Sequence, residues 1–364
     1  MRRKSCGFPA PLSFEYKVRY PALEVPIEVF PEKDAYIVIG RTIGSVPEYP
    51  AKLFKSSLYR HVLISGTTGS GKSYTASTIA KRVSSELGMR VVVVDWHGEH
   101  SRLAENYYLV DPFDHPLDFF TGDPSELSIV SGVLELTPPQ EYLLEKVLKR
   151  VDLAKLGSIE TFLDYLEAYP EESSWMRETK LSLHRKLSPL ARKNYKRLFK
   201  LYDLSNENFQ NAFFKAHVPN LLIVDVSRIR DLSVRKLYSA FFIKKMVDAA
   251  VALGTPLLII IEEAQNFLSR NQAVKPICDM LREVRKFNIG IVVVSQSISS
   301  LADDVLTNTN TKIIHALKSK ADIDVVEESL YLENSILSVI PYLEPGEAVY
   351  STPTLKKSVL IKVE

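Results

Sequence analysis

His61-Val-Leu-Ile-Ser65, running straight into Gly66-Thr-Thr-Gly-Ser-Gly71-Lys72-Ser73, is the stretch that decides the fold. A mostly apolar run of strand length leads into a glycine-rich loop, and Ser73 to Leu87, closed by Gly88, has the spacing of a helix. Strand, loop and helix in that order are what a phosphate-binding P-loop requires. Its glycines let successive backbone N–H groups curl around phosphate oxygens, and the helix N-terminus adds its positive dipole. Lys72 is then expected to reach the β- and γ-phosphates and Ser73 to ligate Mg2+. The nucleotide-binding residues expected from this segment are Gly66, Thr68, Gly69, Ser70, Gly71, Lys72, Ser73 and Tyr74.

Outward from the loop, further apolar runs lie at Arg90–Val94, Leu221–Val226, Leu257–Ile261, Ile289–Ser295 and Thr311–Leu317. Their continuity in Val, Ile and Leu predicts parallel strands buried on both faces. Val234 to Leu253, closed by Gly254, reads as another helix, and the alternation of strands with helices predicts a doubly wound α/β domain. Residues 138–214 break that rhythm, with Leu, Lys, Glu and Tyr at helix-like spacing and no strand-like run, and are expected to be a helical insertion. Toward the start, Pro9, Pro11, Pro21, Pro26, Pro31, Pro47 and Pro50 separate short β-like stretches such as Ala35–Ile39. The expected organisation is a small β-rich N-terminal appendage over residues 1–59 and a P-loop domain over residues 60–364 that carries the insertion at about 138–214.

The chain has 364 residues, of which 46% are hydrophobic and 25% charged, which excludes a disordered, collagen-like or coiled-coil polypeptide. A net charge of +2 excludes a histone-like polycation but leaves room for a local basic patch. Lys180 to Lys200 is such a candidate, containing Lys and Arg but no Asp or Glu, with Tyr195 and Phe199 interleaved. It reads either as a surface that holds a nucleic-acid backbone or as a solvated helix face paired with the acidic stretch Asp152–Glu178. Cys6 and Cys278 supply neither a disulfide framework nor a zinc cluster, which fits a reducing compartment. The N-terminal residues lack the apolar block of a signal peptide, and the longest apolar runs are far below the roughly 20 residues that cross a bilayer. A cytoplasmic protein without membrane contact is expected.

A P-loop needs acidic groups at the end of another strand to hold Mg2+ and polarise the attacking water. Leu257 to Ile261 followed by Glu262-Glu263 offers them, with Glu262 near the metal and Glu263 near the γ-phosphate, a division typical of ATPases. Ile289 to Val294 ends in Ser295-Gln296, where the Gln296 amide can sense the γ-phosphate or orient water, although a surface glutamine is the ordinary reading. Asp95 to Gly98 spells the DxxG of GTPases and Ser319-Lys320-Ala321-Asp322 faintly matches their base-reading motif. Against a GTPase, Glu262 and Glu263 become redundant and the two motifs lie far apart. His97, Glu99 and His100 read as a polar active-site loop or as a metal site.

In order and spacing these motifs resemble the HerA–FtsK superfamily of DNA-pumping ATPases, and specifically its archaeal HerA-like branch. The resemblance rests on the P-loop, Val94-Asp-Trp-His-Gly-Glu, Glu262-Glu-Ala-Gln-Asn-Phe, Arg282-Glu-Val-Arg-Lys-Phe, Val294-Ser-Gln and Leu343-Glu-Pro-Gly-Glu-Ala. It implies a RecA-like P-loop domain that hydrolyses ATP with Mg2+ and assembles as a homo-hexameric ring moving double-stranded DNA through its centre. The catalytic set it implies is Lys72, Glu263, Gln296 and Arg285, with Ser73 and Glu262 at the metal and Arg285 offered to the neighbouring subunit. Departures exist: Glu262 stands for an Asp, Gln265 for a His, Val284 and Asn288 for glycines, and Ala316 where many relatives carry a second arginine. Full-length relatives begin with a β-barrel that docks partners such as the NurA nuclease, and about 60 residues before the P-loop are short for one, so a nuclease partner stays open. Two other readings are a VirB4-like ring ATPase for secretion or pilus assembly and an ATP-gated DNA-bound scaffold, and Glu263 with Arg285 favours a motor over the scaffold.

Overall fold

Unbroken Val, Ile and Leu runs have both faces of their strands covered, and they form the centre of the molecule. The computed structural model describes residues 34–364, apart from 46, 104–105, 153–156, 172, 202–212, 215–217, 331 and 333. Its strands are β1 (Tyr36–Thr42), β2 (Pro50–Phe54), β3 (Val62–Ser65), β4 (Arg90–Asp95), β5 (Tyr107–Val110), β6 (Leu117–Phe119), β7 (Phe199–Leu201), β8 (Leu221–Asp225), β9 (Leu257–Ile261), β10 (Ile289–Ser295), β11 (Thr311–Ile314), β12 (Glu347–Ser351) and β13 (Val359–Val363). One sheet of 11 strands has the order β2-β1-β13-β12-β11-β3-β10-β9-β4-β8-β5. From β11 to β5 every neighbouring pair is parallel. From β2 to β11 the pairing is antiparallel.

Alternating side chains of the central strands enter different layers, as the period of two requires. Val91, Val93, Leu258, Ile260, Val292 and Val294 pack with Ile79 and Val83 of α1 (Lys72–Glu86). Val92, Val94, Ile259, Ile261, Ile291 and Val293 join the other core, built with α2 (Pro124–Leu134), α3 (Pro138–Leu148), α4 (Ile159–Ala168), α5 (Ser174–Leu187), α6 (Leu232–Leu253) and α7 (Lys275–Glu283). The α6 boundaries are written in the sequence. Asp231 caps its start by accepting from the backbone of Ser233 and Val234, and Gly254 ends it at φ 62° in the left-handed region.

The doubly wound α/β expectation therefore holds at the centre and is incomplete at the edges. β12, β13, β1 and β2 extend the sheet antiparallel, and Gly40 sits so close to β13 that a Cβ there would stand 2.0 Å from the Lys362 carbonyl oxygen. The described part of residues 1–59 thus runs into the same sheet, while Pro9 to Pro31 lie outside the described residues. Within 138–214, α3, α4 and α5 are helical as expected, but Phe199–Leu201 is a strand paired with β6. Three residues are too few to carry a period-two signal. Thr311 to Leu317 is shorter as a strand than expected, ending at Ile314, and His315 to Leu317 turn toward the P-loop.

The register sets the site. Ser65 pairs with Ser295, Val293 with Ile261, and Ile261 with Val94, so the residues following these strands gather at one edge of the sheet. That edge is the carboxyl end of the parallel strands, where open α/β sheets bind ligands.

Candidate nucleotide site

The loop between β3 and α1 is held open by glycine geometry and by its surroundings. Gly69 and Gly71 have φ of 77° and 106°, and a Cβ on Gly71 would lie 2.7 Å from the Gly346 nitrogen. Gly346 N–H in turn donates to the Ser70 carbonyl at 2.9 Å, so the turn before β12 braces the loop from behind. Ala316 braces it from the side, its carbonyl accepting from the Thr67 N–H at 2.8 Å and the Thr67 hydroxyl at 3.1 Å. His315, fully buried, meets the Thr75 hydroxyl at 2.9 Å and the Glu347 carbonyl at 2.8 Å. Ala316, where the resemblance implied a second arginine, is 6% exposed and works through its backbone.

Lys72 lies at the start of α1, 8% exposed, with Nζ donating to the Thr67 carbonyl at 2.9 Å. Burial lowers its pKa and outweighs the opposing charges of Glu263, Glu262 and Glu99. Tyr74 is exposed on the same helix. The buried Ser70 hydroxyl has no hydrogen-bond partner among the described residues. Ser73 lies near enough to Glu262 to help lower its pKa, which places the two expected Mg2+ ligands near one another. A glycine-rich loop at a helix N-terminus, a buried cation and a neighbouring hydroxyl and carboxylate suit a phosphate and its divalent ion.

Glu262 and Glu263 follow one another but face different surroundings. Glu262 is 2% exposed; Oε1 meets His100 Nε2 at 2.7 Å and Oε2 accepts the Trp96 N–H at 3.2 Å. Burial opposes its charge, yet the His100 hydrogen bond and charge outweigh this and lower its pKa. His100 shows the mirror case: burial disfavours its charge, but Glu262, Asp95 and Glu99 raise its pKa. Its Nδ1 meets the Ser77 hydroxyl of α1 at 2.6 Å, so one imidazole joins the acidic strand end to the P-loop helix. Glu263 has a φ of 47°. Its Oε1 accepts from Gln296 Nε2 at 2.6 Å and meets His97 Nε2 at 3.1 Å, and Gln265 donates to Oε2. Gln296 Oε1 accepts from the Thr68 hydroxyl at 3.2 Å, so the glutamine spans the P-loop and Glu263.

The two GTPase-like acids are committed elsewhere. Asp95 is fully buried, and its oxygens accept from the backbone of His97, Gly98, Glu99 and His100 at 2.8 to 3.2 Å, which closes the loop upon itself. Burial raises its pKa. Asp322 accepts from the Ser297 hydroxyl at 2.8 Å and the Ser299 N–H at 2.9 Å and steadies the loop after β10. His97, Glu99 and His100 do not converge on one point as a metal site: His97 serves Glu263 and His100 serves Glu262. Among the described residues, Asp95, His100 and Glu262 have ligand-like spacing, but the Asp95 oxygens are filled by backbone N–H groups and both His100 ring nitrogens by Ser77 and Glu262, which leaves Glu262 alone of the three for an ion.

A family model described as "Helicase HerA, central domain" matches residues 37–246, more than half of the chain. The chain belongs to this family. The DNA double-strand break repair helicase HerA of Saccharolobus solfataricus is 26% identical over 360 residues, spanning 91% of this chain and 69% of its own. VirB4 of Thermoanaerobacter pseudethanolicus superposes with a TM-score of 0.67 at 16% identity, covering 92% of this chain and 97% of that one. The plasmid coupling protein TrwB in complex with ADP and Mg2+ gives 0.66 at 15% identity, covering 93% and 96%. These structures share the RecA-like P-loop fold. Together with the P-loop, HerA family membership makes the chain an ATPase whose ligands are ATP and Mg2+.

Arg285 is not at this site. It lies in the 3-10 turn Val284–Phe287 before β10, at the opposite end of that strand from Gln296, and it is exposed. It forms no ion pair with a described residue, whereas Arg282 meets Asp304 at 2.6 Å. The basic segment also divides. Lys180 is 7% exposed and pairs with Glu171 at 2.7 Å, and Tyr195 and Phe199 are buried core residues. Arg185, Arg192, Lys193, Lys196, Arg197 and Lys200 are exposed, with Arg192 paired to Asp231 at 3.1 Å and Lys196 to Glu160 at 3.2 Å. An aromatic-studded nucleic-acid surface is thereby corrected to a basic face, because the rings fill the core behind it. The sequence placed His100 in a polar active-site loop but not against Glu262, and it missed the role of Gly346, for which Pro345-Gly346 was the available signal.

Proposed function

We propose that this chain is a ring-forming motor, a homo-hexamer, that uses ATP hydrolysis to move double-stranded DNA through its centre. The observation that carries this reading is the position of Arg285, exposed and a full strand away from Gln296. At about 3.3 Å per residue its own β10 keeps it about 20 Å from the γ-phosphate side, so it is out of reach of its own site and is free to serve a neighbour's. An arginine supplied from outside stabilises charge that develops on the transferred phosphoryl and ties hydrolysis to subunit contact.

Within one subunit, Gly66, Thr68, Gly69, Ser70 and Gly71 would cradle the phosphates, with Lys72 as their cation and Tyr74 beside the nucleotide. Ser73 and Glu262 would hold Mg2+, which when bound neutralises phosphate charge. Glu263 polarises the attacking water, and Gln296 reports the γ-phosphate by exchanging its bonds to Glu263 and Thr68. Duplex DNA as the cargo is supported by the HerA relatives, named as repair helicases. Residues 1–59 act as an N-terminal appendage at a subunit or partner contact, and the 60–364 unit with its insertion is the motor; a nuclease partner belongs to the same proposal.

The test is the ATPase rate with linear duplex, with single-stranded DNA and without nucleic acid. Stimulation by duplex is expected. A rate indifferent to DNA would reject the motor reading and favour a VirB4-like ATPase.

A further inference from the structure

His61 stands one residue before β3, far from the nucleotide edge, yet it is 2% exposed and holds a backbone φ of 63°. A left-handed conformation is uncommon for a residue with a Cβ and persists where the surroundings impose it. Both of its ring nitrogens are committed. The Ile291 N–H points to Nδ1 at 3.0 Å, and Nε2 meets the Leu281 carbonyl oxygen at 3.0 Å. An N–H can only donate and a carbonyl can only accept, so the ring is neutral with its proton on Nε2. Burial, with the Arg285 charge adding to it, holds the pKa down at about 4 against the hydrogen bond to Leu281, in agreement with that tautomer.

The two partners define what the ring joins. Leu281 is in the last turn of α7, which passes directly into the 3-10 turn carrying Arg285. Ile291 is in β10, which ends one residue before Gln296. The backbone of His61 starts the strand that enters the P-loop, and its carbonyl accepts from Thr311 of β11 at 3.3 Å. Packing here is close: a Cβ on Gly290 would stand 2.5 Å from the Leu58 carbonyl oxygen. Arg285 has no ion pair with a described residue, so its bearing depends on the backbone that carries it.

We propose that His61 is a positioning residue that anchors the Arg285 segment to the P-loop strand and so sets how the arginine is presented to the neighbouring subunit. This rests on the trans role of Arg285. Binding of nucleotide at one end of β3 and presentation of the arginine at the other are thereby linked through one side chain.

The test uses His61→Asn, which tolerates positive φ and keeps an acceptor for Ile291 but cannot reach Leu281. A misplaced arginine is expected to lower the ATPase rate about ten- to hundredfold. His61→Gln, whose amide can reach Leu281, should restore much of it. The decisive readout comes from mixed assemblies in which subunit exchange has been demonstrated. His61→Asn mixed with Glu263→Gln should regain activity, because some interfaces join an intact glutamate to an intact arginine segment. His61→Asn mixed with Arg285→Ala should not. The reverse pattern would place the His61 defect in its own nucleotide site and overturn the proposal. So would a His61→Asn rate equal to that of the unmutated protein, or no recovery in either mixture while Arg285→Ala with Glu263→Gln recovers. Failure of that last pair would instead reject the trans arginine, and the His61 role with it.

Discussion

The nucleotide edge and the helical layer across the sheet use polar residues in opposite ways. At the edge, Asp95, His100, Glu262, Glu263 and Gln296 engage backbone groups or one another, and strand register brings them together. In the helical layer, α3 to α5 bury apolar stripes and, Lys180 apart, keep their charges out of the core, and in the turn after α5 Lys196 pairs with Glu160 and Arg192 with Asp231 at the surface. Such pairs are worth about 0–1 kcal/mol. The lesson is that a polar motif at the end of a buried parallel strand is read in place, whereas a basic run through a helix and the turns after it is meaningful only once its buried and exposed sides are known.

The largest break in this comparison should come from Lys72→Ala, which removes the buried cation of the loop. Loss of about three decades in ATPase rate is expected, measured as phosphate release, with the secondary structure unchanged by circular dichroism. Glu263→Gln comes next. It should keep ATP binding and lose about two decades or more in turnover; turnover near the unmutated rate would remove Glu263 from its role. Glu262→Gln should differ from it by partial recovery at raised Mg2+, since its defect lies in holding the ion.

In the helical layer the effects should fall on stability and binding separately. Tyr195→Ala opens the core and loses the phenol oxygen that accepts the Asp231 N–H at 3.1 Å, so a cost of about 3–5 kcal/mol in urea denaturation is expected. Replacing Arg192, Lys193, Lys196 and Arg197 together by Ala should leave stability within about 1 kcal/mol. If that face holds duplex, the change weakens binding and flattens its dependence on salt; an unchanged slope would mark it as an ordinary solvated surface. The smallest effect concerns Asp123, which caps α2 and meets Lys244 at 2.9 Å. Burial opposes its charge, but the Lys244 and Ser125 hydrogen bonds outweigh it and bring the carboxyl down to about 2. A depressed pKa contributes stability above the unfolded value of about 3.9 and loses it as pH falls through the folded one. Asp123→Asn should therefore flatten the acid side of the stability profile, seen in urea midpoints between about pH 5 and pH 2.

From sequence, β9 and β10 were legible to the residue, because long Val and Ile runs admit little else, and so was the P-loop, since three glycines, Lys72 and Ser73 belong together only between a strand and a helix. The pairing of Glu262 with Glu263 and the place of Gln296 followed from their positions at strand ends. What those carboxylates touch did not follow. His100 is 162 residues from Glu262, and only the parallel register of β4 with β9 brings them to 2.7 Å.

The sequence by itself determined the central strands β3, β4, β8, β9 and β10 and the places of the glycine-rich loop and of Glu262-Glu263 at their ends, because each depends on neighbours within a few residues. Tertiary structure alone decided that β12, β13, β1 and β2 close the sheet's other side, that Tyr195 and Phe199 face inward, and that Arg285 stands away from its own nucleotide edge while His61 joins its segment to the P-loop strand. Those outcomes depend on contacts between segments far apart in the chain, where pairing and burial choose among arrangements that local spacing leaves equal.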